Sequence, residues 1–215
     1  MNSYEIYLDN LIKKHPELDN IKYDIKESFI IIKKCFENNK TLFICGNGGS
    51  ASDSEHIVGE LMKGFKCKRE PGQDFLNKVE CFFGKSGVDV FNKLQKGMKA
   101  IALTSHPSLN TAFANDVDSE LIFAQQLYVL SSPGDVLLGI TTSGNSKNVL
   151  RALQLSKINN LTSIVLTGKD GGKCSLIADK VIKVPENETY LIQELHLPIY
   201  HTICLMLEEY FYGSN

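Results

Sequence analysis

Apolar residues recur at helical spacing over residues 3–38: Ile6, Leu8, Leu11 and Ile12, then Ile25, Phe29, Ile32, Cys35 and Phe36. The spacing predicts two helices, broken near His15-Pro16. After Asn38-Asn39 the pattern changes. Residues 41–45 (TLFIC) make a short apolar run of strand type, and four more follow at 99–104, 135–141, 162–168 and 180–185. Helical patterns lie between them at 52–65, about 118–130, 146–158 and 171–178, and a closing helix is expected over about 190–212. Strands alternating with helices predict an α/β fold, a parallel sheet covered on both faces. Right-handed crossovers make it a doubly wound, three-layer sandwich.

Residues 66–98 break this rhythm. The segment begins basic (Lys66, Lys68, Arg69), carries Pro71-Gly72 and Gly84, and holds apolar clusters at Phe75, Leu76, Phe82, Phe83 and at Val88, Val90, Phe91, Leu94. It reads as an elaborated connection with one or two short helices inside a single domain spanning 1–215. A lid over a site and an oligomer contact are both open roles for it.

Composition narrows the function classes. The 215 residues suffice for one domain with a sizeable core. A net charge of −2 gives no reason to expect nucleic-acid binding. No run approaches the roughly 18–20 apolar residues of a membrane span, and the polar start lacks a leader core. A soluble, cytoplasmic protein is predicted. Its six scattered cysteines (35, 45, 67, 81, 174, 204) are expected to be reduced and mostly buried, with no CxxC to build a structural zinc site. Only Arg69 and Arg151 are arginines, so a phosphate site must rest mainly on backbone N–H groups, hydroxyls and Lys.

In a doubly wound sheet ligands sit beyond the carboxyl ends of the strands. After the first strand comes Gly46-Asn47-Gly48-Gly49-Ser50, then a helix. Such a loop can bring backbone N–H groups and a helix N-terminus to a phosphate or sugar, and it can equally be a capped tight turn. It is not a GxxxxGK[ST] nucleotide loop. After the third strand, Thr141-Thr142-Ser143-Gly144-Asn145-Ser146 puts four hydroxyls around one glycine before a helix, a pattern suited to a phosphomonoester. Thr167–Gly172 is a third glycine-rich turn at the same rim, either a plain loop or a ligand contact. His56 and Glu60, four apart, share a helix face and can form a surface ion pair, an acid–base pair or part of a metal site. On the closing helix, Gln193, Glu194, His196 and His201 interrupt an apolar sequence and need partners. Gln193 and His201 are eight residues apart, about 12 Å along a straight helix. They meet one small atom only if Pro198 kinks the helix or the Gln side chain bends; otherwise they serve different sites at a subunit interface.

Nearly the whole chain resembles the sugar isomerase (SIS) domain proteins, and within them the phosphoheptose isomerase family. The matching stretches are ICGNGGSASDSEHIVGEL (44–61), FANDVD (113–118), GDVLLGITTSGNSKNVL (134–150), LTGKDGG (166–172) and IQELHLPIYH (192–201). The resemblance implies a five-stranded parallel flavodoxin-like sheet and a homotetramer with sites at subunit interfaces. It implies conversion of sedoheptulose 7-phosphate to glycero-manno-heptose 7-phosphate through an enediol, in the service of lipopolysaccharide or capsule heptose synthesis. The phosphate positions fall on Ser50, Thr141, Ser143 and Ser146, Thr141 replacing a commoner Ser. The wider substrate-contacting set adds Asn47, Gly48, Gly49, Asn115, Asp116, Thr142 and Gln193. The implied catalytic pair is Glu60 and His201. Zinc, one ion per subunit, would take His56, Glu60, Gln193 and His201.

Some positions depart from the family pattern. His106 stands where Asp is common, Tyr190-Leu191 where an acidic or small residue and Arg are common, and Lys63-Gly64 where Gly-Arg is common. Lys63 or Lys169 can replace the missing positive charge. Two further readings follow: a non-catalytic SIS protein that binds a sugar phosphate or a protein partner, as a sensor or a replication-initiator-associating relative does, and an isomerase for a hexulose phosphate.

Overall fold

A computed structural model describes residues 3–213. Helix α1 (Glu5–Lys14) ends at His15, and Pro16 opens a 3-10 turn to Ile21 before α2 (Lys22–Glu37). The break falls where Pro cannot continue the preceding helix. Helix α2 buries Ile25, Phe29, Ile32 and Cys35, one stripe at helical spacing.

Five parallel strands follow: β1 (Leu42–Cys45), β2 (Ala100–Ala102), β3 (Val136–Thr141), β4 (Thr162–Thr167) and β5 (Lys180–Lys183), in the order β2-β1-β3-β4-β5. This is the flavodoxin-like order, with its switch point between β1 and β3. Strands β1 and β3 are buried at every residue, as expected for a sheet covered on both sides. Alternate residues supply two cores. Leu42, Ile44, Leu138 and Ile164 face α1, α2, α3 (Gly49–Met62) and α8 (Thr189–Tyr212). Phe43, Leu137 and Val165 face α6 (Ile122–Leu130) and α7 (Lys147–Ile158).

One expectation is corrected. No α-helix forms at 171–178. Gly171 and Gly172 take φ of 75° and 50°, and only a 3-10 turn over Cys174–Leu176 follows. The 66–98 connection holds α4 (Gln73–Phe91), two helical segments that meet at a non-helical Gly84, φ 66°, in line with the one or two short helices expected there. The break lets Phe91 pack on Phe75 and Phe83 at 6.5 and 6.1 Å between ring centres. Between β2 and α6 the chain forms α5 (Pro107–Phe113), a π-helical turn over Ala114–Asp118 and a 3-10 turn over Ser119–Leu121. Among the described residues no helix is long and apolar enough to cross a membrane.

Candidate active site

Helix α3 carries two stripes of side chains. Ser50, Ser54, Ile57 and Leu61 are buried. Gly49, Asp53, His56 and Glu60 repeat at the same 4-3-4 spacing on another face, which meets α8. This second stripe is polar where an ordinary packing face would be apolar.

At its upper end is the β1 loop. Asn47, Gly48 and Gly49 are exposed at the rim, and Ser50 is buried. A Cβ on Gly49 would stand 2.5 Å from Gln193 Nε2, so glycine is what lets Gln193 of α8 lie against the loop. Across the switch point, Asn47 and Asn148 exchange amide hydrogen bonds of 2.8 and 2.9 Å. They tie the β1 loop to the start of α7.

Beside it is the hydroxyl loop. Thr141 and Ser146 share a 3.1 Å hydrogen bond, and Ser143 Oγ accepts from the Asn145 N–H at 3.2 Å. Gly144, at φ 65°, packs so tightly on the Gly171 carbonyl that no Cβ fits. The β3 and β4 loops are thus one assembly, and the Gly168 N–H donates to the Thr142 carbonyl at 3.0 Å. Ser146 makes no side-chain cap to α7, leaving that helix's positive end without an internal anion. A cleft of about 380 Å³ opens here, lined by Thr142, Ser143, Asn145, Lys169, Asp170 and Ile192.

Two levels lower on α3 lies the acid–base group. His56 Nε2 is 3.3 Å from Glu60 Oε1, and Lys63 Nζ is 3.2 Å from Glu60 Oε2. His201 of α8 meets the His56 ring edge-to-face at 4.9 Å. Its Nε2 is buried without a partner. Burial and the neighbouring His56 lower the His201 pKa, with Glu60 pulling the other way. Burial raises Asp53, while the hydrogen bond from Tyr200 and the nearby His56 oppose it. Arg69 is wholly structural: it pairs with buried Glu208 and donates to the Glu60 and Leu61 carbonyls at 3.1 and 2.7 Å. Burial pushes Glu208 up, yet the Phe65 and Lys66 N–H groups and Arg69 hold it below the usual range.

The chain therefore gathers Asn47, Gly48, Gly49, Ser50 and Gln193 at one level, the Thr141–Ser146 hydroxyls beside them, and His56, Glu60 and His201 at another. Helix α8 runs on through Pro198, and Gln193 and His201 touch α3 at Gly49 and His56, seven residues or roughly 10 Å apart. Within one chain Gln193 and His201 serve different levels. Two imidazoles and a carboxylate suit zinc, and the orphaned His201 Nε2 is a free donor. Among the described residues no three His, Cys, Asp or Glu side chains converge on one point. Asn115 and Asp116 are exposed in the π-helical turn, hydrogen-bonded to each other. His106 is engaged by Gln126 at 2.8 Å, and Tyr190 is exposed at the start of α8. Asp53 and Tyr200 were missing from the residues expected by sequence, although Asp53 sits on the His56–Glu60 stripe.

The SIS domain matches residues 109–208. The phosphoheptose isomerase of Helicobacter pylori is 36% identical, over 97% of this chain and 100% of that protein. The structure of phosphoheptose isomerase from Neisseria gonorrhoeae superposes with a TM-score of 0.73 at 28% identity, covering 94% of both chains. That of a phosphoheptose isomerase from Francisella tularensis gives 0.75 at 27%, covering 95% and 96%. With a relative this similar along its whole length, the chain belongs to the phosphoheptose isomerase family of SIS-domain proteins.

Proposed function

We propose that this chain is an aldose–ketose isomerase that interconverts sedoheptulose 7-phosphate and glycero-manno-heptose 7-phosphate in the cytoplasm. The observation that carries this reading is Glu60 beside His56 and His201 on the helix that begins at the phosphate-type loop. A pure binding protein has no use for a carboxylate and a poorly solvated imidazole side by side.

The β1 loop, Thr141, Ser143 and Ser146 hold the phosphate, with the α7 N-terminus adding its dipole. Glu60 takes a proton from C1 of the open-chain ketose, and His201 delivers one to the C2 oxygen, leaving an enediol. His201 then removes the O1 proton, and Glu60 returns its proton to C2. A lowered pKa keeps His201 neutral at neutral pH, able both to give and to take a proton. Zinc, implied by the resemblance, would need His56, Glu60, Gln193 and His201 to draw together more closely than they stand within this chain; when bound it would supply polarisation of the carbonyl, with Glu60 and His201 alternating between ligand and acid–base roles.

Assembly into a homotetramer is part of the same proposal. Phe82, Phe83 and Val90 of α4 are largely exposed, as are Tyr128 of α6 and Ile158 of α7. The separate levels of Gln193 and His201 also favour sites shared between subunits.

Incubation of the purified protein with sedoheptulose 7-phosphate, followed by NMR, tests the reaction. Aldoheptose phosphate is expected, and its absence would overturn the reading. In Glu60→Gln, turnover is expected to fall by roughly 10²–10⁴-fold, while thermal-shift binding of the sugar phosphate persists. Near-native turnover would remove Glu60 from the role of base. Elemental analysis of the purified protein tests zinc.

A further inference from the structure

A line of polar contacts runs behind the proposed base. The Tyr200 hydroxyl donates to Asp53 Oδ1 at 3.1 Å, the Tyr200 oxygen itself lies 3.1 Å from His56 Nδ1, and His56 Nε2 is 3.3 Å from Glu60 Oε1. Tyr200 is 2% exposed, and its ring packs against both His56 and His201, at 5.6 and 5.0 Å between centres. The hydroxyl is therefore held in place rather than free to choose a partner from solvent.

Each link restricts the next. A carboxylate only accepts hydrogen bonds, so the single Tyr200 proton goes to Asp53. Toward His56 the phenol oxygen then offers only lone pairs, and Nδ1 must carry the imidazole proton. In neutral His56 that leaves a lone pair on Nε2, 3.3 Å from a second acceptor, Glu60 Oε1. Two acceptors at this distance are stable only with a cation between them, either a proton or a metal ion.

We infer that Tyr200, backed by Asp53, is a positioning residue that holds His56 in the Nδ1–H tautomer and keeps Nε2 as an electron-pair donor facing Glu60. The consequence for catalysis rests on Glu60 being the base. A proton taken from the sugar by Glu60 finds an acceptor waiting at Nε2, and a metal ion finds a lone pair already aimed beside the carboxylate. A tyrosine that merely fills the core would not impose this direction.

The test reads long-range ¹H–¹⁵N correlations of the histidine rings in the full-length chain at about pH 8, above the ordinary imidazole range. The His56 signals are identified by their loss in His56→Asn. The native chain is expected to show His56 as Nδ1–H. In Tyr200→Phe the acceptor is gone, the Nε2–H tautomer gains population and kcat falls about tenfold, while KM, set largely by the phosphate loops, holds. Asp53→Asn can donate to Tyr200 and reverse the line, so it is expected to shift the tautomer the same way. A neutral His56 that carries its proton at Nε2 and none at Nδ1 in the native chain overturns the inference even if a variant fails to fold. So does Tyr200→Phe with an unchanged tautomer or full kcat. A native chain that shows Nδ1–H yet turns over no heptulose phosphate upholds the positioning and overturns the isomerase reading instead.

Discussion

His196 of α8 is 0% exposed, and neither ring nitrogen has a hydrogen-bond partner. Burial drives the His196 pKa down to about 4 from an ordinary 6.5, the Thr167 contact opposing weakly. The sign follows from linkage: below 6.5 the unfolded chain takes up a proton that the folded chain refuses. Stability tied to His196 is therefore complete above 6.5 and declines as the pH falls toward 4. Between about pH 7 and pH 5 the loss is about 2 kcal/mol. Urea unfolding at both pH values is expected to show this loss in the native chain and to show it reduced by that amount in His196→Leu. Residues of this scale were unequally legible. His56, Glu60 and His201 declare themselves by residue type and spacing. Asp53 meets Tyr200 across 147 positions of sequence, and only the packing of α3 on α8 makes that contact.

Among the elements, the end of α3 depends on a buried pair. Arg69 caps the Glu60 and Leu61 carbonyls, which lack partners within their own helix, and Glu208 accepts N–H bonds from Phe65, Lys66 and Cys67. Together they set where α3 stops and how Glu60 is presented. Arg69→Met leaves Glu208 as an unpaired buried carboxylate and is expected to cost about 3–5 kcal/mol in denaturant unfolding. Adding Glu208→Leu should recover part of it. The glycine loops make a second prediction. Gly144→Ala meets both a positive φ and the Gly171 carbonyl, so a cost of about 1–3 kcal/mol is expected. A raised KM for the sugar phosphate should accompany it, measured in the NMR assay of turnover. In the sequence the 66–98 connection shows only a basic start, with no sign of what Arg69 meets. Arg69 proved to be 2% exposed, because its partner lies 139 residues away on α8.

At the scale of the whole molecule, the strand order places the loops after β1 and β3 side by side at the switch point, and the Asn47–Asn148 pair bridges them. Helices α3 and α8 lie on one face of the sheet and bring the acid–base group toward that rim. The apolar faces of α4 and of the α6–α7 layer remain open. Phe82 and Ile158 are 78% and 75% exposed. Under the proposed assembly, sedimentation equilibrium is expected to report a tetramer. Phe82→Glu with Phe83→Glu tests whether α4 is one of the contacts: it should shift the distribution toward smaller species. A monomeric native chain would overturn the proposed assembly.

The amino-acid sequence by itself determined the alternation of strands and helices, the two phosphate-type loops and the acid–base residue types, because these are written in local periodicity and in side-chain chemistry. It determined the strands more closely than the helix ends, since buried parallel strands are short, bounded apolar runs. Tertiary structure alone decided which level of α3 each α8 side chain meets, which separates Gln193 from His201 and joins Tyr200 to Asp53 and His56. It also decided that Gly171–Gly172 closes on Gly144 instead of starting a helix, and that Arg69 is buried. Those outcomes depend on the register of elements far apart in sequence, and no local pattern encodes that register.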